Sequence, residues 1–214
     1  MARSLVALMV FCTFGVLWTT AASAAPASCN ATLSSNASSR AVTADALDQA
    51  LFNDAVLHYV NVERCNRGLT PLRSDNDLIQ ATSQHSAHMA SNAYVSHNSR
   101  QAGYRELQDR LSKAKVQYRV AGENVIKSYV FAFNRQNIGS SGRACQFRFA
   151  SNGSRVPRHT YNSLAKDLVA LWMVSKTHRS NILHRDFSRA GATFGVDGNS
   201  SLCGTVYAAQ NFAN

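Results

Sequence analysis

Three side chains in this sequence carry the chemistry that could make a site: His97 in "YVSHNS", Glu123 in "AGENV" and His178 in "WMVSKTHRSNIL". Each follows a hydrophobic anchor at the end or joint of an apolar stretch. Two imidazoles and one carboxylate can hold a divalent metal such as zinc, or form an acid–base cluster around a water. Glu123 stands out because no Asp or Glu follows it until after Lys166. His85 and His88, three apart, form a second candidate pair, although helix packing for His85 and a solvated His88 is the simpler reading. Ser86 and Ser175 lie near histidines, but no G-x-S-x-G elbow is present and no oriented base is evident, so a serine nucleophile is not expected.

The elements that must position these groups read as helices first. Leu47, Leu51, Ala55, Tyr59 and Val62 recur at helical spacing, with Thr43 as the expected cap and Gly68 just past the end, where Leu69 folds back. A second helix follows Asp75, with Leu78, Ala81, Thr82, His85 and Met89 on one face, and runs out near Asn92. Residues 105–114 make a short third helix. The fourth spans "YNSLAKDLVALWMVS", with Leu164, Leu168, Leu171 and Trp172 aligned. His97 and His178 then fall just past the second and fourth helices. At the end of the chain the period changes to that of strands, and "RAGATFGV" and "GTVYAAQNF" flank "DGNSSLC" as a β-hairpin. Helices interleaved with a few strands imply an α+β sandwich.

The N-terminus bears on compartment. Arg3 precedes an apolar run of 14 residues, Leu5–Trp18, followed by small residues and an A-x-A sequence at Ala22–Ala24. This is the pattern of a signal peptide over residues 1–24, too short to span a bilayer comfortably. A small polar tail, 25–42, follows, and the domain occupies 43–214. No later run reaches membrane-spanning length, so a secreted, extracellular protein is expected, or a periplasmic one in a Gram-negative host. Cys29, Cys65, Cys145 and Cys203 remain after the cut, an even number without C-x-x-C spacing. Three pairings are open. Cys29–Cys65 and Cys145–Cys203 are favoured, since the first staples the tail and the second a long loop, each contributing roughly 4 kcal/mol in the chain-entropy view. Sequons stand at Asn30, Asn36, Asn152 and Asn199.

The formal net charge of +10 falls by one, to +9, when Arg3 leaves with the signal segment. Anionic surfaces will attract such a chain. Much of that charge lies in the acid-free stretch 124–166, which carries Lys127, Arg135, Arg143, Arg148, Arg155, Arg158 and Lys166, with Phe131, Phe133, Phe147 and Phe149 interleaved. Two readings are open. The phenylalanines join the core and leave a solvated loop, or "QFRF" forms a ribbon whose rings and charges meet an anionic lipid layer. Nucleic acid is not expected as a partner, because an exported protein seldom meets it.

Taken in order, "YVNVERCNRGLTPLRSDNDL", "HSAHMASNAYVSH", "DRL", "AGENV", "LWMVSKTHRSNIL" and "AAQNFA" resemble the CAP superfamily, which includes cysteine-rich secretory proteins, antigen-five allergens and plant pathogenesis-related proteins of group one. The arrangement is closest to the compact type common in bacteria, and it covers roughly residues 48–213. The resemblance implies a three-layer α-β-α sandwich with a shallow groove lined by two histidines and two acids. His97 resembles the first histidine and Glu123 the first glutamate, which would orient His97. Tyr207 stands where plant and animal members have a second histidine, and Ser175 where they have a second glutamate. His178 matches a histidine of the compact members. Against compact relatives, the segment near 128–160 is a basic insertion. The resemblance implies a monomeric binding module, with a lipid, a sterol or a protein on a cell surface as partner and a divalent metal as a candidate groove ligand. The rival is a hydrolase using Glu123 with His97 and His178.

Overall fold

The computed structural model describes residues 28–140 and 144–214. The signal segment and Arg143 lie outside the described residues. Among the described residues, helices and strands follow one another as α1 (Ser35–Ser39), α2 (Gln49–Cys65), β1 (Arg73–Ser74), α3 (Asn76–Ser91), α4 (Leu107–Lys113), β2 (Ala121–Tyr129), β3 (Ile138–Ser140), β4 (Phe147–Phe149), α5 (Tyr161–Val174), α6 (Lys176–Ile182), β5 (Arg189–Asp197) and β6 (Thr205–Ala213). The architecture is α+β, and it has three layers. A four-stranded sheet in the order β1-β5-β6-β2 lies in the middle. Its strands are antiparallel except β1, which runs parallel to β5.

The period-2 pattern at the C-terminus produces the expected hairpin, β5 paired with β6 from Arg189↔Ala213 to Asp197↔Thr205. Strand β6 is buried along its whole length. On one face Val206, Ala208 and Phe212 join the main core with Phe52, Leu164, Leu168 and Trp172 of α2 and α5. On the other face Tyr207, Ala209 and Ala213 meet Met89 and Leu78 of α3. Helix α3 can approach β5 closely because two positions there lack a side chain. A Cβ at Gly191 would lie 2.4 Å from the Ile79 nitrogen, and one at Gly195 would lie 2.7 Å from the Ser86 carbonyl oxygen. This close packing sets the height of everything α3 carries.

The helix ends explain where sequence and structure differ. Asp75 caps α3 as expected, its side chain accepting from the Leu78 N–H. Gly68 takes φ +67° and the Leu69 N–H returns to the Arg64 carbonyl. Helix α2, however, starts at Gln49 and not near Thr43, because Asp48 supplies the cap by accepting from the Leu51 N–H. The tail is not featureless either. It forms α1, and Ala37 and Val42 are fully buried against the main core. Both favoured disulfides are present, Cys29–Cys65 and Cys145–Cys203.

In the basic segment the first of the two readings holds. Phe131 and Phe133 are buried, and Phe147 meets both edge-on at 5.1 and 5.2 Å. Phe147 and Phe149 pack against the main core from the short hairpin β3–β4, while Arg148 between them is exposed. Among the described residues, no helix is long and apolar enough to cross a membrane.

Candidate functional site

Glu123 sits on β2 with its side chain 2 % exposed. It lies inside a nine-residue strand paired to β6, opposite Asn211. A buried carboxylate must be compensated, and two groups do so. Arg110, on α4 and itself 1 % exposed, donates from Nη2 to Oε2 at 2.7 Å. His97, in the segment after α3, meets Oε1 through Nδ1 at 3.0 Å. A carboxylate only accepts, so Nδ1 carries the proton and Nε2 is left as the free acceptor of the ring. The His97 side chain is 55 % exposed, so the ring is held from below and open above.

Arg110 also fixes the backbone around His97. Its Nη2 donates to the His97 carbonyl at 3.1 Å, and Nη1 to the carbonyls of Tyr104 and Arg105 at 3.3 and 3.4 Å. Helix α4 that delivers it is started by a capping box between Glu106 and Asp109. Arg110 is not among the residues that the sequence reading singles out. The available signal was a cation at helical spacing on the apolar stripe of Leu107, Leu111 and Ala114, a place that demands a buried acid.

His85 supports the site from α3. It is 1 % exposed and its Nε2 donates to the Ser96 carbonyl at 2.8 Å, one residue before His97. Burial lowers its pKa, Glu123 works against that shift, and Arg110 adds to it. His85 and His88 do not form a metal pair: His88 packs its ring against Tyr94.

His178 approaches β2 from α6. It lies within α6, which Ser175 caps directly after α5, and not in a loop past the fourth helix. Two asparagines dock α6 on β2. Asn181 Nδ2 donates to the Glu123 carbonyl at 3.0 Å and to Asn124 Oδ1 at 2.9 Å, and Asn124 Nδ2 donates to the His178 carbonyl at 3.2 Å. Burial lowers the His178 pKa, and the charge of His97 lowers it further. His97 and Glu123 are thus in direct contact, while among the described residues no hydrogen bond joins the His178 ring to either.

The donor set does not fit a three-ligand metal centre. Among the described residues no group of three or more His, Cys, Asp or Glu is placed to hold a metal ion. Both Glu123 oxygens are already engaged, one by a guanidinium whose charge opposes a cation. Tyr207, at the position of the expected second family histidine, is 3 % exposed and packs with Met89 and Val125.

The sequence model of the cysteine-rich secretory protein family matches residues 57–212. The chain belongs to the CAP family. Two relatives from Bacillus subtilis (strain 168) are similar to this CAP domain: an uncharacterized membrane protein, YlbC, 29 % identical over 157 residues, and an uncharacterized protein, YkwD, 25 % identical over 173 residues. The alignments take in 73 % and 81 % of this chain but only 33 % and 51 % of those relatives. Among solved structures, an extracellular protein containing an SCP domain from Bacillus anthracis aligns at TM-score 0.51 and 22 % identity, over 78 % of this chain and 41 % of that one. An outer surface protein from Borrelia burgdorferi aligns at TM-score 0.51 and 12 % identity, over 78 % of this chain and 96 % of that one. At these identities the likeness is one of fold.

Proposed function

We propose that this CAP domain is an exported, monomeric binding module, acting outside the cell or in a periplasm, which meets its partner through the open face of His97. The carrying observation is the state of Glu123: one oxygen accepts from buried Arg110 and the other orients His97. A hydrolase of the expected kind would need that carboxylate to activate a water or help hold a metal. With one oxygen on Arg110 and the other on His97, Glu123 acts here as a positioning residue, and the surface it prepares is a half-exposed imidazole. Such a surface recognises by hydrogen bonding. The cationic excess of the chain favours a partner at an anionic cell surface, namely an anionic lipid, a sterol-bearing layer or a surface protein.

Calorimetric zinc titration at about pH 7.5, where ordinary imidazoles are neutral, tests the reading. The expected result is no zinc binding that depends on Glu123. A zinc affinity present in the native protein and lost in Glu123→Gln would return the metal-held-water mechanism.

A further inference from the structure

Strand β2 is an edge of the central sheet. Its hydrogen-bonding phase is fixed by the Val130 N–H donating to the Gly204 carbonyl, which continues the β2–β6 register. In an antiparallel pair, residues with both groups turned to the partner alternate with residues turned away. Val125, Lys127 and Tyr129 are therefore turned outward, together with Glu123. The two ends of this edge are covered. Asn181 Nδ2 caps the Glu123 carbonyl, and beyond Tyr129 the returning chain pairs through the Phe131↔Arg158 bridge and the His159 N–H to the Val130 carbonyl. Between those covers Val125 is buried, Lys127 is exposed and Tyr129 half-buried, and among the described residues the outward groups of Lys127 and Tyr129 have no backbone or side-chain partner.

A cleft of about 470 Å3 runs beside this open stretch. Lys127 and Tyr129 form one wall, and Ala170, Leu171 and Val174 of α5 the other, over a floor that includes Phe133. Val174 is 71 % exposed although apolar. The two faces of the edge differ. α5 covers the face shared by Ile126 and Ser128, which by register are opposite Ala208 and Val206. Lys127 projects from the other face with Glu123 and Val125. Lys127 on the far face of the edge and Arg135 at the cleft set two cations about this strand against one acid, Asp167, and neither cation forms an ion pair among the described residues.

We propose that this edge binds an extended acidic peptide segment by strand addition, independently of the reading given to His97. The segment pairs its backbone with Lys127 and Tyr129. Alternate apolar side chains enter the α5 cleft, and the intervening acids face Lys127. Backbone pairing supplies the affinity and the alternating pockets the selectivity. A lysine in the middle of an exposed edge ordinarily discourages pairing with a neutral strand, and here the same charge selects an acidic one.

The probe is a short acetylated peptide of alternating glutamate and valine, made in three forms: unmodified, N-methylated on the amides facing the edge, and N-methylated equally on the amides facing away. Binding to the full chain is followed by fluorescence anisotropy and by amide exchange. The unmodified and away-methylated peptides are expected to bind within a few-fold of one another, and edge methylation to weaken binding about tenfold or more, roughly one lost hydrogen bond or beyond. Lys127 and Tyr129 amides become protected in the complex. Lys127→Glu weakens binding, while the methylated pair requires no altered protein. Equal affinity for the two methylated peptides, unprotected Lys127 and Tyr129 amides in the complex, or no binding at about 1 mM overturns the proposal.

Discussion

The Glu123 cluster and the basic segment from Phe131 to His159 place charge in opposite ways. Under the groove, a carboxylate and a guanidinium are both nearly sealed from water and meet at 2.7 Å, and that pair holds an imidazole and the backbone around it. In the basic segment the guanidiniums are outside and the rings inside. Arg148 and Arg155 are exposed and face one another across an isolated antiparallel bridge, and Arg158 lies 4.6 Å over the Phe131 ring. The first region depends on its charges for folding and position. The second depends on its phenylalanines and its disulfide, and its charges lie at the surface, where Arg148 also donates to the Gly153 carbonyl at 2.7 Å.

The largest effect is expected from breaking the buried pair on one side. Arg110→Met leaves the Glu123 carboxylate buried without a cation, and should cost about 3–5 kcal/mol of unfolding free energy in denaturant titration, with the His97 segment loosened. A change below about 1 kcal/mol would mean that Glu123 finds solvent. Opening the Cys145–Cys203 bridge by paired serine substitutions should cost about 2–4 kcal/mol, because it ties the β3–β4 segment to the β5–β6 turn across 58 residues. Calorimetry of the paired variant would show a lower Tm with the His97 contacts preserved, and loss of those contacts would contradict the separation of the two regions.

Acid should act through one buried histidine in each region. Burial lowers the pKa of both His85 and His159. Unfolded histidines take up protons near pH 6.5, whereas these two resist until lower pH. Stability is then full above about pH 6.5 and declines as pH falls below it, until the native groups titrate as well. A Tm unchanged between about pH 7.5 and 5.5 would show that neither ring is held neutral. The smallest effect is expected on the exposed side. Arg148→Ser with Arg155→Ser should leave stability within about 0.5 kcal/mol, since relief of a like-charge cross-strand pair offsets loss of the exposed Arg148 bond to the Gly153 carbonyl, yet it should weaken attachment to anionic vesicles at low salt. A large stability loss would mean that these arginines hold the hairpin.

The parts legible in the sequence are those with a sustained period or an unambiguous cap. The C-terminal hairpin, the fourth helix, Asp75 before α3 and both cysteine pairs belong here. Strand β2 escapes such a reading because it has no alternation to follow. Glu123 and Asn124 are adjacent polar residues, both buried, since each is satisfied by a different element: Glu123 by α4 and His97, Asn124 by α6. Helix α6 is hidden because it restarts on Ser175 with no intervening loop, so that "THRSN" reads as a turn. The tail from residue 28 to 42 carries too little apolar surface to signal burial, and only packing of Ala37 and Val42 under α2 and α5 reveals it. Two members of the expected site, His97 and Glu123, are in contact. The third, His178, sits on α6, which Asn124 and Asn181 dock on β2, and its ring hydrogen-bonds to neither of the other two among the described residues. Arg110 is easily overlooked, because a single cation on a short helix ordinarily faces water.

A double-mutant cycle between Arg110 and Glu123 tests the central claim most directly. Arg110→Met, Glu123→Gln and their combination are compared by equilibrium unfolding at neutral pH. A committed structural clamp predicts a coupling energy of about 2 kcal/mol or more, with the double variant more stable than Arg110→Met alone because no unpaired buried charge remains. Additivity within about 0.5 kcal/mol would show that Glu123 is not committed to Arg110, and would leave its carboxylate free for a metal or a water.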